Sequence, residues 1–301
     1  MLRQGPRQAV TVTVSVPVRT TTTAPATTAP ATTAPATTAP TTTAPVAPPP
    51  LVPMSWDGAG AIVWHLSDAE PTQLGQAMRA AGFDWVAVYL GDPQTASPPD
   101  PSWLDRFELA SGLPIGGWSV LGDNPAADAA TAVQLVQQDH LAFYIADAEA
   151  TYGYTAGANK SSTRFARSHT FVKAFRAAEP NLPAGVSSYC RPDEHDLDWS
   201  AWANAGFVFL PQAYVNDFGP VAAPAACVLG AAKWFSAANV HPTVGSYTGV
   251  RGLLSPAQWS QLLAQAHTTG FSIYPAEVAM PTANWQAYGD SITKLGIAKR
   301  P

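Results

Sequence analysis

From about residue 61 to the C-terminus, short apolar runs alternate with segments whose apolar positions recur at helical spacing. The runs at 61–66, 84–90, 114–120, 142–147, 184–189, 206–214, 243–247 and 271–276 read as strands. They are continuous apolar stretches rather than strict alternations, as parallel strands covered on both faces should be. Helices are predicted over 71–81, 101–111, 125–140, 163–179, 199–205, 255–268 and 282–295, with a further helical segment holding Cys227. Their starts carry recognisable chemistry. Pro71 suits a first helical turn and Gly82 a stop, while Asn124-Pro125 and Ser255-Pro256 pair an N-cap side chain with a proline. Eight strand-then-helix units in a row predict an α/β fold closed as a (β/α)8 TIM barrel over residues 54–301.

The pattern breaks down before residue 54. Between Thr22 and Val46 the tetrapeptide Thr-Thr-Ala-Pro occurs five times. Proline at that density prevents helices and central strands, and almost no large apolar side chain is there to bury. Residues 20–53 are therefore predicted to form an extended Thr/Ala/Pro-rich linker of polyproline-II character. Thirty such residues reach about 90 Å at roughly 3.1 Å each. Ahead of it, residues 9–18 alternate β-branched apolar and polar positions, a strand pattern. A lone strand is not stable, so residues 1–19 are predicted to dock by adding to the sheet edge of another protein. Threonines and a serine interrupt every valine there, so the segment does not read as a secretion signal. A stalked protein without such a signal fits assembly inside a cell into a larger particle.

Composition narrows the partners. The chain has 301 residues, 47% hydrophobic and 12% charged, with net charge −5. No basic run appears, which argues against nucleic acid, and no apolar stretch approaches the roughly 20 residues of a membrane span. No cofactor motif is present: neither a Gly-rich phosphate loop nor a Gly-x-Ser-x-Gly elbow occurs. His65 with Asp68 offers two metal ligands without a third, so no metal is expected. The His195-Asp196 pair is expected to be solvated. Two cysteines do not make a disulfide framework; Cys190 and Cys227 could pair, but free buried thiols are the favoured expectation. Ten tryptophans and nine tyrosines suit both a large aromatic core and a sugar-binding groove.

In TIM barrels the chemistry sits at the C-terminal ends of the strands. Those ends carry Tyr89 and Asp92, Trp118, Asp147 and Glu149, Tyr189, Gln212 with Tyr214, Tyr247, and Tyr274 with Glu277. The sharpest pair is Asp147 and Glu149. Residues two apart on a strand point the same way, with Cα atoms about 6.5 Å apart. Their carboxyl groups could then stand anywhere from the retaining (about 5 Å) to the inverting (about 6.5–9.5 Å) separation of glycosidases. Like charges so close raise one pKa, which makes a general acid. Glu149, projecting further over the mouth, is the expected acid, and Asp147 its companion. Tyr89, Asp92, Trp118, Tyr189, Gln212, Tyr214, Tyr247 and Glu277 are the expected substrate-binding residues, Glu277 also being a reserve second carboxylate.

At Ile145-Ala146-Asp147-Ala148-Glu149 the chain resembles the family-25 glycoside hydrolases, barrel lysozymes with an Asp-x-Glu on strand four. Pro114-Ile115-Gly116-Gly117-Trp118 looks like that family's third strand and Leu210-Pro211-Gln212-Ala213-Tyr214 like its sixth. The resemblance implies Glu149 as general acid. In place of that family's strand-one aspartate and strand-two glutamate, this chain has none within 61–66 and carries Tyr89-Leu90-Gly91-Asp92. Barrel and stalk together look like minor tail or tail-tip proteins of actinobacterial phages. The implied role is a virion tail protein whose barrel grips or cuts host cell-wall polysaccharide and whose residues 1–19 meet other tail proteins. An exported bacterial wall glycosidase at the cell surface, or a structural barrel without catalysis, remains open from the residues alone.

Overall fold

The computed structural model describes residues 54–64, 70–92, 95–96, 99–149, 162–192 and 197–276. The docking segment 1–19, the linker 20–53, His65 and Asp68, His195 and Asp196, Glu277 and the last predicted helix lie outside the described residues.

Among the described residues nine strands form one sheet: β1 (Gly58–Val63), β2 (Trp85–Asp92), β3 (Thr95–Ala96), β4 (Ile115–Val120), β5 (Tyr144–Asp147), β6 (Ala184–Tyr189), β7 (Val208–Ala213), β8 (Thr243–Gly245) and β9 (Gly270–Tyr274). Eight are parallel, and β1 pairs with both β9 and β2, which closes the barrel. The short β3 folds back antiparallel on the end of β2. The helices are α1 (Pro71–Ala81), α2 (Pro101–Ser111), α3 (Pro125–Gln138), α4 (Ser162–Ala178), α5 (Trp199–Asn204), α6 (Val215–Phe218), α7 (Pro224–Ala231) and α8 (Pro256–Ala266). The predicted (β/α)8 barrel is thus the fold.

Local chemistry sets the helix starts. Glu70, Asp100, Asn124 and Ser255 each accept a hydrogen bond from a first-turn backbone amide, and each precedes a proline. These caps satisfy orphan donors where proline supplies none. At Ser255 the cap is reciprocal, with the Gln258 side chain returning to the Ser255 amide.

Side chains alternate between two cores. Outward-facing residues such as Val86, Val88, Tyr144, Ala146 and Phe209 pack under the helices. Inward-facing ones, Ile62, Trp85, Ala87, Trp118, Phe143, Ile145, Val208 and Leu210, fill the barrel. Trp56 closes the floor, its ring 5.4 Å from Trp85 and 5.3 Å from Phe143. Both partners stand at the N-terminal ends of the strands, so the chain enters the barrel at that pole.

Strand one starts at Gly58 rather than residue 61. Glycine makes that possible, because a Cβ on Gly60 would fall inside the Trp85 indole that its strand must pass. The sequence pattern missed this strand start because Gly58-Ala59-Gly60 shows no apolar run. Strand seven, expected over 243–247, ends at Gly245.

The two cysteines are not free. Cys190, just past β6, and Cys227 in α7 form a disulfide with Cα atoms 4.7 Å apart. The pairing corrects the expectation of buried thiols. The β6 loop and α7 meet only because the barrel curls, a proximity that 37 residues of sequence separation conceals.

Candidate functional site

The inward alternation that fills the barrel also delivers the polar groups to its mouth. On β5 the inward set is Ile145, Asp147, Glu149; on β7 it is Val208, Leu210, Gln212, Tyr214. Apolar side chains occupy the lower layers and the same faces become polar one step higher. There the strand ends surround a small pocket, open at the mouth. Asp147, Glu149, Ser187 and Gln212 line one part, Trp118, Tyr214 and Tyr274 another, and Ile62 with Ile145 form the bottom.

Asp147 is deep, only 8% exposed, whereas Glu149 is partly exposed. Gln212 ties them together. Its Nε2 donates to Asp147 Oδ1 at 3.2 Å and also to Glu149 Oε1. Burial pushes the Asp147 carboxyl well above the ordinary range, and the nearby Glu149 charge adds to this. Hydrogen bonds from Ser187 and Gln212 pull the other way without reversing it. Asp147 therefore holds its proton to a higher pH than an ordinary aspartate does. Burial also raises the Tyr214 hydroxyl well above its usual value, with Asp147 contributing, so that ring presents a neutral hydroxyl.

The predicted residues distribute unevenly. Asp147, Glu149, Trp118, Gln212 and Tyr214 line the pocket. Tyr89 stands behind it, ring to ring with Trp118 at 4.7 Å, and Tyr247 packs edge-on against Tyr214 at 5.8 Å. Trp118 is itself fixed by Nε1 donating to the Val63 carbonyl at 2.9 Å. Asp92 and Tyr189 do not line the pocket: Asp92 enters the β2–β3 hairpin, and Tyr189 faces Phe218 at 6.4 Å. Glu277 lies outside the described residues. The pocket also uses Ile62, Ile145 and Ser187, which looked like ordinary strand residues. Their inward parity, counted from Asp147 or across the ladder, was the signal available. Among the described residues no group of three side chains could hold a metal ion, and no helix is long and apolar enough to cross a membrane.

The fold is similar to the (β/α)8 barrels of several solved glycoside hydrolases. A class V chitinase mutant from the plant Cycas revoluta, solved with (GlcNAc)3, superposes with a TM-score of 0.58 at 8% identity, over 78% of this chain and 99% of that one. The catalytic domain of a hyperthermophilic chitinase from Pyrococcus furiosus gives 0.58 at 11% identity, over 84% and 99%. An exo-β-1,4-mannosidase from an Opitutaceae bacterium gives 0.50 at 13% identity, over 79% and 59%. At these identities the likeness is one of fold. No protein-family model and no curated protein matches the sequence.

Proposed function

We propose that the barrel binds cell-wall glycan at its mouth and hydrolyses a glycosidic bond there, with Glu149 as the general acid. The observation that carries this reading is the arrangement of Asp147, Glu149 and Gln212 in one aromatic-walled pocket at the C-terminal pole. Glu149 is the partly exposed member, so it is the one that can reach a leaving-group oxygen. Gln212 engages Oε1 and so orients the carboxyl group, leaving Oε2 to carry the proton. Asp147 lies deeper, two residues before Glu149 and on the same inward face. It is poorly placed to attack from the opposite face.

The finer reading is a phage tail-associated protein of the family-25-like kind: residues 1–19 dock on the particle, the Thr/Ala/Pro segment extends, and the barrel meets the wall. The stalk composition and the alternating segment 9–18 support it. The Cys190–Cys227 disulfide supports a working place outside a reducing cytoplasm, which virion and cell surface share.

Purified full-length protein, wild type and Glu149→Gln, incubated with actinobacterial cell wall tests the catalytic half. Wild type should release reducing ends, and the variant should fall by about 10²–10⁴-fold. If neither releases any yet both sediment with the wall, the barrel is a binder. Deleting residues 1–18 should leave the barrel folded and abolish incorporation into particles. Normal incorporation would end the docking idea.

A further inference from the structure

The eight residues of α7, Pro224–Ala231, include no polar side chain. A helix laid on the outside of a barrel ordinarily turns an apolar stripe inward and polar residues outward. Here Pro224, Cys227 and Ala231 are buried, yet Leu229, on the outward side, is 78% exposed. The apolar surface continues beyond the helix. Val221, in the turn Gly219–Ala222 that leads into α7, is 61% exposed, and Phe218 at the end of α6 is exposed as well. Val250, 91% exposed, and Leu253 come from the loop after β8. That loop is joined to α6: the Val250 amide donates to Asp217 Oδ1 at 2.9 Å, and the Arg251 amide to the Asn216 carbonyl at 2.7 Å. Among the described residues seven large apolar side chains stand exposed, and these are five of them.

Charge is missing from the same stretch. Residues 199–276 contain three charged side chains, Asp217, Lys233 and Arg251, in a chain that is 12% charged overall. Each is folded back onto the protein. Asp217 accepts from the Tyr247 hydroxyl and the Val250 amide, Lys233 Nζ sits 4.8 Å over the Trp234 ring, and the Arg251 guanidinium lies against Gly219. The acid excess behind the net charge of −5 therefore lies elsewhere on the chain. The face is also held in place. The Cys190–Cys227 disulfide ties α7 to the end of β6, so docking there costs little ordering.

We propose that this face, made by α6, α7 and the loop 249–253, is where a second copy of the chain docks across a two-fold axis. A two-fold contact brings the same patch of both copies together, so charges of one sign near the axis oppose each other. A self-docking face must therefore be poor in charge, and this one is. Two copies meeting through the acid-rich remainder would repel. A partner recognised by its charges would find almost none here to complement. The exposed parts of the five side chains supply on the order of 500 Å² of apolar surface, close to the apolar share of a standard interface of roughly 800 Å² per partner.

Sedimentation velocity on the full chain, from about 1 to 100 μM, tests the pairing. The wild-type mass should rise from that of one 31.5 kDa chain to twice that value. Leu229→Glu and Val250→Glu, made singly, should each weaken pairing by at least about tenfold, because each buries an unpaired charge in the contact. Both side chains are exposed, so circular dichroism should stay that of the wild type. Leu109→Glu, exposed on α2 and away from this face, should leave pairing unchanged. A wild type that stays monomeric throughout overturns the proposal, and loss of wall sedimentation in Leu229→Glu would then assign the face to the wall instead. Pairing that survives both substitutions overturns it too, since the contact then lies elsewhere, and so does assembly beyond two copies.

Discussion

Two buried titratable groups pull stability in opposite directions. Asp147 has a raised pKa, so between the ordinary aspartate value and the raised one the folded state holds a proton that the unfolded state has lost. Stability therefore falls as pH rises through that window. Asp147→Asn should raise the melting temperature at neutral pH, with the gain vanishing towards the ordinary aspartate range. A variant less stable than wild type at pH 7 would contradict the assigned burial cost. His241, stacked on Trp56 beneath the barrel, behaves inversely. Burial lowers its pKa from 6.5 to about 4, so the unfolded state takes up the proton first as pH falls. Its contribution is present above about pH 6.5 and is lost on acidification towards 4, by at most roughly 3 kcal/mol. Thermal unfolding of His241→Gln across that range should show a flatter acid limb than wild type. The shared amide of Gln212 gives a third prediction at this scale. Gln212→Leu should leave the barrel folded but free Glu149 to reorient, lowering turnover more than wall binding. Equal losses in both would make Gln212 a substrate contact instead.

At the scale of elements, small residues let strands and side chains interpenetrate. A Cβ on Gly116 would fall inside the Phe143 ring, and one on Gly60 inside the Trp85 indole. Either glycine replaced by alanine should cost about 1–3 kcal/mol, read by denaturant unfolding, because the large rings have nowhere to retreat. The disulfide acts on another element. It ties the end of β6 to α7 across 37 residues, and Cys190 Sγ also lies 3.4 Å from the Val221 carbonyl. Reduction should lower the melting temperature in line with a loss of up to about 4 kcal/mol. Unchanged melting with reductant would show the loop held by packing alone. The helices were the most legible elements, because caps and prolines are local signals. α1 and α2 span the predicted 71–81 and 101–111. Strand ends were less so: β1 begins in a glycine-rich stretch that has no apolar run to read.

For the whole molecule, the barrel has two poles with separate duties. The floor is apolar, closed by Trp56 against Trp85 and Phe143, and the chain enters there. The mouth is polar and aromatic. Trp56→Ala should open a void in the floor and cost about 3–5 kcal/mol in stability. It should leave glycan binding per folded molecule unchanged, as measured by wall sedimentation below the melting transition. Loss of binding in the folded variant would mean that the poles are coupled.

The order of apolar runs, caps and proline punctuation was enough to specify an eight-fold alternation and hence the closed barrel, because those signals act between near neighbours. Parity along one strand was enough to put Asp147 and Glu149 on the same face. Closure alone decided what those acids meet. Gln212 reaches them from 63 and 65 residues away, Ser187 and Tyr274 arrive from other strands, and Cys190 finds Cys227. Such pairings depend on the register and curvature of the whole sheet, which no local pattern encodes. The burial that raises the Asp147 pKa is likewise a property of the assembled barrel rather than of the Asp-x-Glu motif.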